Sequence, residues 1–420
     1  MTYLFQNNDA GADAFGRARS STPFTLGDYK HIYGIDPNFL EVTTNGAQIS
    51  YVQQRACAQL QVSAAENSRV VHQSKFYHHY MPGKSQLILS SFNMYDHADG
   101  VYKRTGYFDD DNGIYFQSNA VDVQPGVLQF VIRSKAGNGI DVLERKVSQA
   151  DWNHDKCDGT GASGFNLDLD KTQLVFFDFQ WLGVGRVRCG FVHDGNYVIA
   201  HEFYNSNVLD RVYMSTPNLP IRCEMINMIP YGPSQITRTY MDQICSTVMS
   251  EGGYVEAGQD WAHANTPRTL TAGQTLPIMA IRLKTTLRGY PNRSIVRMGN
   301  LSMFSSGENI RWQLVKLPGT AQLTETTWTD VDADSGVQYN VDATAYTGGD
   351  VIDAGWASAA TQGSQKVGGA PGAQQPSSAK KNYIVQNFDC TDSEIFAVVV
   401  TNLGASTTTV GVAMQWREIY

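Results

Sequence analysis

The sequence is poor in charged residues and has no long apolar run. Only 17% of its 420 residues are charged. No stretch of about 18 consecutive apolar residues occurs, which excludes a transmembrane helix. The net charge is −8 at neutral pH, and no basic cluster offsets this excess of acidic residues. Because nucleic-acid binding depends on Lys and Arg contacts with phosphates, this balance argues against a nucleic-acid partner.

Cysteine is also sparse, and it lacks the spacing of a metal or redox site. The six cysteines include no pair separated by two residues, and no Cys and His cluster has zinc-binding spacing. The N-terminal residues lack the basic start and apolar segment of a secretory signal peptide. We therefore expect a chain made in the cytoplasm, with buried cysteines that form no disulfides.

Glycine and aromatic residues, by contrast, are abundant. The chain contains 38 Gly, and 11% of its residues are Phe, Trp or Tyr. Together with Thr and Val, these residues favour strands and tight turns. Short strand-like segments follow one another at regular spacing over most of the chain, as in antiparallel sandwiches and barrels. The sequence therefore predicts an all-β fold, in which an antiparallel β-sandwich (jelly roll) is followed by a second, smaller β-sandwich.

The strongest local signal is a hairpin over residues 178–203. Polar or small residues alternate with apolar ones on its first strand: Arg186, Val187, Arg188, Cys189, Gly190 and Phe191. This period of two is typical of a strand with one buried face. Asp194-Gly195 predicts a type I′ turn, because both central positions of that turn need a positive φ. The polar face would leave Arg186 and Arg188 free to pair across an interface.

Composition divides the chain into three parts. Residues 1–40 are polar and interrupted by Pro23 and Pro37, which predicts an N-terminal assembly arm along a neighbouring subunit, or alternatively a frayed terminus. Residues 41–255 predict a lectin-like β-sandwich, and residues 256–420 predict a C-terminal β-sandwich. Within the latter, residues 357–382 are rich in Ala, Gly, Ser, Gln and Pro, which indicates a long flexible loop.

Few residues suggest a binding site. Asp109 and Asp111 belong to an acidic run whose oxygens could hold calcium, although the following Asn-Gly dipeptide is also a plain hairpin signal. Aromatic residues and arginines near turns and strand ends could contact a glycan or a subunit interface: Tyr80, Tyr95, Trp152, Tyr204, Tyr213, Arg186 and Arg188. Core packing is the alternative explanation for the aromatic residues.

Several stretches resemble a family of virion structural proteins encoded by tailed phages and some large DNA viruses. They are STP, TL and D within residues 21–28, YMPGKSQ at 80–86, DGTG at 158–161 and on to Asp168, WLGVGRVR at 181–188 followed by Gly190 and Phe191, and YMSTPNLP at 213–220. The resemblance covers residues from about 20 to 255. It assigns no functional residues. The hairpin also resembles the long curved strands of concanavalin-like and laminin-G-like sandwiches, a face that often binds glycans.

The resemblance implies a structural component of a phage virion, in the tail, baseplate, fibre or capsid surface. Such a protein would assemble with copies of itself, with a homotrimer as the expected state. It would also contact other virion proteins and a host-surface glycan. A glycan-binding lectin-like module and a polysaccharide depolymerase are the alternatives. We expect that the chain is not an enzyme, because no two carboxylates lie close together on one predicted strand, as a glycosidase site would need. We expect no cofactor apart from calcium, no nucleic acid and no membrane insertion.

Overall fold

The computed structural model describes residues 13, 16, 22–122, 126–137, 140–229, 239–324, 327–359, 365–367 and 383–420. These residues form strands, turns and the short 3₁₀ helices Gln53–Arg55, Gln149–Asp151 and Thr320–Gln322. No helix within them is long and apolar enough to cross a bilayer. The chain divides into two compact units, Met1–Val255 and Glu256–Tyr420.

Strands β1 to β15 build the first unit as two antiparallel sheets. An eight-stranded sheet has the order β13-β12-β11-β6-β15-β4-β3, with β1 paired to β15, and a seven-stranded sheet has the order β10-β9-β8-β7-β14-β5-β2. The strand bounds in chain order are Pro23–Lys30, Phe39–Thr44, Gln48–Val52, Cys57–Gln61, Ser68–Ser74, Ser85–Asn93, Val101–Phe108, Gly113–Asn119, Val127–Ser134, Leu143–Ser148, Gln173–Phe179, Val187–His193, Asn196–Phe203, Ile221–Asn227 and Tyr240–Glu251.

Apolar side chains from both sheets fill the space between them. Phe191 of β12 meets Phe116 of β8 edge-on at 5.2 Å between ring centroids, and Phe177 of β11 meets Phe130 of β9 at 6.2 Å. Every second residue of these strands points into this core, which is the period that the sequence shows. Each large apolar side chain buried here contributes roughly 1.5–3 kcal/mol. The predicted antiparallel β-sandwich is therefore confirmed.

The predicted hairpin is confirmed at its turn and corrected at its first strand. Asp194 and Gly195 have φ angles of 51° and 77°, and β12 and β13 pair on either side of them. The first strand is shorter than predicted, because the chain turns at Leu182 and Gly183, which also have positive φ. The hairpin lies at the edge of the eight-stranded sheet.

Part of the predicted N-terminal arm is a strand of the first unit instead. Pro23–Lys30 forms β1 and pairs antiparallel with β15. The long strand β15 pairs with β4 only near its start, so the rest of that edge accepts β1. Apart from positions 13 and 16, residues 1–21 of the predicted arm lie outside the described residues.

The cysteines follow the prediction with one exception. All six are free thiols, and five of them are buried. Cys245 is the exception, because it lies exposed on β15.

Strands β16 to β31 build the second unit. Their bounds in chain order are Gln259–Ala264, Arg268–Leu270, Thr275–Leu283, Thr286–Leu287, Tyr290–Pro291, Ile295–Ser305, Ile310–Leu317, Leu323–Thr324, Thr329–Asp330, Val337–Asn340, Ala345–Tyr346, Asp350–Ala357, Gln365–Val367, Tyr383–Ile384, Ile395–Asn402 and Thr408–Ile419. One six-stranded sheet has the order β16-β31-β21-β28, with β17 and β29 paired to it, and the other has the order β24-β25-β18-β30-β22-β27.

The second unit is also a sandwich, with its own core. Trp416 of one sheet and Trp312 of the other are buried in the same apolar cluster, so the predicted second, smaller β-sandwich is confirmed. Of the loop predicted at residues 357–382, Gln365–Val367 forms the short strand β28 on β21, which corrects the prediction for these residues. Residues 360–364 and 368–382 lie outside the described part of the chain.

Candidate functional site

A cleft of about 620 Å³ opens in the first unit where four chain segments meet. These segments are the β6–β7 connection, the start of β9, the end of β10 and the stretch that precedes β11. Leu128, Leu167 and Leu169 supply apolar surface among mostly polar neighbours. The volume falls within the range of about 300–1,000 Å³ that is usual for small-molecule sites.

A buried lysine shapes one wall of the cleft. Tyr95 and Asp96 both adopt left-handed backbone conformations, with φ of 52° and 65°. Lys103 of β7 is fully buried, and its Nζ donates hydrogen bonds to the main-chain oxygens of Met94 and Asp96. Non-glycine residues in this conformation need support from their surroundings. The Lys103 ammonium group provides that support by tying two carbonyl groups of the turn together.

The imidazole of His97 is fixed on the same wall. Its backbone N–H donates to Asp96 Oδ1 at 2.7 Å, and its ring Nδ1 lies 2.6 Å from Ser118 Oγ. Gly126 packs against the ring so closely that a Cβ atom there would lie 2.6 Å from Nδ1. The ring therefore has little room to move, and a side chain at position 126 would displace it.

Exposed polar side chains form another part of the lining. Asn166, Asp168 and Asp170 are exposed, while Leu169 between the two aspartates is 7% exposed and anchors the segment in the core. Asp168 Oδ1 accepts the Asp170 backbone N–H at 2.9 Å, and the Asp170 carbonyl accepts from Asn93 Nδ2 at 3.3 Å. The segment is thus fixed at both ends of the short turn, and Asp168 and Asp170 belong to the lining of the cleft.

The outer face of the seven-stranded sheet carries a second concentration of polar groups, which we call the polar layer. Its side chains alternate along the strands with those that face the core. Arginines and aromatic rings alternate across it, with guanidinium carbons 4.5 to 5.6 Å from the ring centroids: Tyr102, Arg104, Tyr115, Arg133, Phe108 and Arg222. Such cation–π contacts gain strength where water is excluded.

Two carboxylates, Glu224 and Glu144, form ion pairs with these arginines. Burial alone would raise the pKa of Glu224, but the charges of Arg222 and Arg104 outweigh it and hold this pKa well below its usual range. Burial likewise opposes ionisation of Glu144, yet the Tyr115 hydroxyl and nearby arginines lower its pKa to about 2. Both carboxylates are ionised at neutral pH, so neither holds the proton that a glycosidase acid must donate. The prediction that the chain is not an enzyme remains a prediction.

Three of the predicted site aromatics belong to the core or its border. Tyr80, Trp152 and Tyr213 are 4%, 3% and 3% exposed. Their polar atoms bond within the chain: Tyr80 Oη accepts the backbone N–H of Trp181 at 3.0 Å, and Trp152 Nε1 donates to the Val147 carbonyl at 3.2 Å. These three residues pack the sandwich, which corrects their proposed role in a surface site.

The structure brings three other predicted residues, Arg186, Arg188 and Tyr204, together at the end of the hairpin that lies away from its turn. Arg188 is buried and its guanidinium pairs with Asp178, with Nε 2.8 Å from Oδ2. Arg186 Nη1 lies 3.4 Å from Glu202 Oε1, and the exposed Tyr204 donates its hydroxyl to Glu202 Oε2 at 2.6 Å. Burial and the Glu202 charge raise the pKa of Tyr204 to about 12. Arg188 is therefore not available for the interface pairing that the alternation predicted.

The remaining predicted residues have partners of their own. The Tyr95 hydroxyl donates to the buried Asp242 at 2.6 Å. Asp109 Oδ1 accepts the backbone N–H groups of Asp111 and Asn112 at 2.9 and 2.8 Å, inside the turn that joins β7 to β8. The hairpin explanation of this run is therefore confirmed.

The acidic run offers calcium few free oxygens. Asp111 lies 2.9 Å from Lys135 Nζ, and burial raises the pKa of Asp109. Across the described ranges, no group of three or more His, Cys, Asp or Glu side chains is arranged to hold a metal. Calcium binding by Asp109 and Asp111 remains a prediction.

The cleft could not be predicted from the sequence. Asp96 and His97 follow β6, whereas Asn166, Asp168 and Asp170 precede β11. Only the pairing of β6 with β11 brings these segments to the same end of the sheet. The alternation of Leu167 and Leu169 with polar neighbours was the one local signal, and it predicts a half-buried segment without indicating what faces it.

No protein family and no curated protein matches the chain by sequence. Solved structures with a similar fold include a β-1,3-glucanase from Mycobacterium marinum, with 9% identity over 54% of this chain and 98% of that chain and a TM-score of 0.36. The carbohydrate recognition domain of Emp46p, metal-free, has 7% identity over 55% and 97% and a TM-score of 0.32. A legume lectin-like domain from Entamoeba histolytica has 8% identity over 54% and 97% and a TM-score of 0.30. These likenesses concern the β-sandwich fold and not a ligand or a reaction.

Proposed function

We propose that the protein binds carbohydrate in the cleft of its first unit. The observation that carries this proposal is the combination of three exposed polar side chains, Asn166, Asp168 and Asp170, with a fixed imidazole and apolar leucine surface in one cavity of about 620 Å³. Sugars present hydroxyl groups that need such hydrogen-bonding partners and C–H faces that pack on apolar surface.

The rigidity of the cleft supports binding of a small ligand. Lys103 holds one wall, Gly126 and Ser118 fix the His97 ring, and Leu169 anchors another part of the lining. A cavity that is already ordered loses little conformational entropy when a ligand enters, which favours affinity.

A glycan array tests the proposal directly. We expect the full chain to bind at least one class of glycan, and the double variant Asn166→Ala, Asp170→Ala to bind it about tenfold more weakly or worse, since each lost hydrogen bond is worth about 1 kcal/mol. Glu66→Ala, which removes an exposed carboxylate outside the cleft, serves as the control. A chain that binds no glycan, or a double variant that binds as well as the control, would refute carbohydrate binding at this site.

We also propose that the protein is a structural component of a phage virion, as the sequence resemblance implies. The stretches that carry the resemblance build the framework: the Trp181 indole donates to the Met214 carbonyl at 3.0 Å, and Lys84 Nζ donates to the Gly253 carbonyl at 3.1 Å. Framework positions are those that proteins with a common fold would share. Mass spectrometry of purified particles tests this role, and light scattering of the pure protein tests the expected homotrimer.

A further inference from the structure

Apart from His97, the ionisable side chains that line the cleft are all acidic. Three of the side chains that line it are aspartates, namely Asp96, Asp168 and Asp170, and its described lining contains no Lys or Arg. Aspartates ordinarily carry a negative charge at neutral pH. The buried Lys103 ammonium lies behind this lining, 3.0 Å from the Asp96 carbonyl, so the negative charge that a ligand meets is mainly that of Asp168 and Asp170.

This arrangement differs from that of the polar layer. There, Glu224 pairs with Arg69 and Arg104, and Glu144 pairs with Arg133, so each carboxylate has arginine partners within the protein. In the cleft, by contrast, no ion pair reaches Asp168 or Asp170 from the described residues, and both side chains are exposed. Their charge acts on the ligand instead of on a protein partner.

We infer that the cleft selects saccharides by charge, so that it accepts neutral and amino sugars and excludes acidic ones such as uronates, sialosides and sulfated sugars. This inference rests on the carbohydrate binding proposed above. Carboxylate oxygens accept hydrogen bonds from sugar hydroxyls, and charged acceptors make these bonds stronger than neutral ones. The same oxygens repel an anionic substituent, and neither Lys nor Arg is available in the described lining to offset that repulsion.

Asp168 and Asp170 are the residues that would set this specificity. Like charges about 4 Å apart in water cost enough to weaken binding roughly fivefold per pair, so two such pairs predict a difference of tenfold or more. Dissolved salt screens the charges of exposed groups. A preference caused by charge must therefore shrink as the ionic strength rises, whereas one caused by shape would not change.

The experiment compares matched pairs of ligands on the full chain. Each neutral oligosaccharide that the array identifies is titrated by calorimetry beside its derivative oxidised at C6 to the uronic acid, in about 0.02 M and about 0.5 M NaCl. The same pairs are titrated with the isosteric double variant Asp168→Asn, Asp170→Asn, and with Glu66→Gln as a control that loses one exposed charge elsewhere.

We expect the uronate to bind at least about tenfold more weakly than its neutral partner at low salt, with a smaller gap at high salt. The double variant should narrow the gap and Glu66→Gln should leave it unchanged. Equal or tighter binding of the uronate, or a gap that the double variant leaves intact, would overturn charge selection while carbohydrate binding stands. If neither member of any pair binds, both proposals fall together.

Discussion

A single buried carboxylate joins three parts of the second unit. Glu418 of β31 is fully buried, and its two oxygens accept hydrogen bonds from Ser335 Oγ at 2.6 Å, the Gly336 N–H at 2.7 Å, Trp416 Nε1 at 3.1 Å and Tyr420 Oη at 2.7 Å. All four donors are neutral. A buried charge is tolerated when hydrogen bonds replace its lost hydration, as they do here.

Replacing Glu418 with Gln should destabilise the second unit by about 2–4 kcal/mol, because the amide NH₂ would face donors and leave buried groups without acceptors. Urea unfolding of the full chain measures this change. Asp350→Asn, at an exposed position of β27, is the matched control and should unfold like the wild type. Equal midpoints for the two variants would contradict the role of Glu418.

Lys103 allows a second test at the scale of one residue. Its replacement by Met removes the two hydrogen bonds that Nζ donates to the main-chain oxygens of Met94 and Asp96. Because these bonds hold the turn, we expect faster amide exchange at residues 95–97 and weaker carbohydrate binding. Lys84→Met is the matched control, since Lys84 Nζ also donates to a main-chain carbonyl, that of Gly253. If Lys103→Met exchanges like the control and still binds glycan, the lysine does not position the cleft.

The hairpin of β12 and β13 needs glycine at two positions for different reasons. Gly195 occupies a turn position with φ of 77° and open space around it, so Gly195→Ala should cost about 1 kcal/mol through backbone strain alone. At Gly190, a Cβ atom would lie 2.0 Å from the Val198 carbonyl oxygen, so Gly190→Ala forces the strands apart and should cost about 3 kcal/mol or more.

Thermal or urea unfolding of the two glycine variants checks this order, with Asp194→Asn as a control that keeps a residue tolerant of positive φ. A larger loss for Gly195→Ala than for Gly190→Ala would show that backbone strain, and not the close approach of the strands, dominates in this hairpin.

The polar layer links the stability of the seven-stranded sheet to pH. Folding lowers the pKa of Glu144 from 4.5 to about 2 and lowers that of Glu224 as well. A lowered pKa means that the ionised carboxylates stabilise the folded state above the unfolded pKa. This contribution is therefore complete near neutral pH and is lost as the pH falls from about 4.5 towards 2.

We expect the melting temperature to fall gradually below about pH 6.5, because burial lowers the pKa of His72 to about 3 and that of His201 to about 4 and only their unfolded forms take up protons there. Below about pH 4.5 it should fall more steeply, as the carboxylates of the polar layer protonate. Glu144→Gln should lower the melting temperature at neutral pH and flatten the acid limb, whereas Glu66→Gln should leave both unchanged. An acid limb of the same steepness in Glu144→Gln would show that other carboxylates control the transition.

At the scale of the whole molecule, each unit encloses its own apolar core. A domain with a separate core can in general fold by itself. We therefore expect residues 256–420, expressed alone, to give a folded β-domain with dispersed amide resonances. Introducing Glu418→Gln into this fragment should reduce its stability by the same amount as in the full chain. A fragment with random-coil resonances would show that its core is not sufficient.

The second unit also shows where prediction from the sequence reached its limit. Its long strands β18, β21, β22, β30 and β31 lie in apolar segments of the sequence, which include Trp312 and Trp416. The assignment of residues 357–382 to a loop rested on composition alone, and β28 within it depends on an edge of β21 that no local signal reveals.

Local signals determined the fold class and many of its turns. The period of two in β12 and the positive φ values at Asp194 and Gly195 are properties of neighbouring residues, so they can be predicted before any partner strand is known. The same alternation predicted a polar face for Arg188, which was correct for the strand, but it did not predict that Asp178 would bury and pair that arginine.

Tertiary structure alone decided the candidate site. The pairing of β6 with β11 brings Asp96 and Asp170 to one cleft, and the packing of the two sheets buries Lys103 beneath the turn that it supports. Asp96 and Asp170 lie far apart in the chain, and Lys103 meets Asp96 only across the connection from β6 to β7, so no strand periodicity encodes these contacts. The sequence alone could specify which faces are polar, because that depends on adjacent residues, whereas what each polar face meets depends on which strands become neighbours.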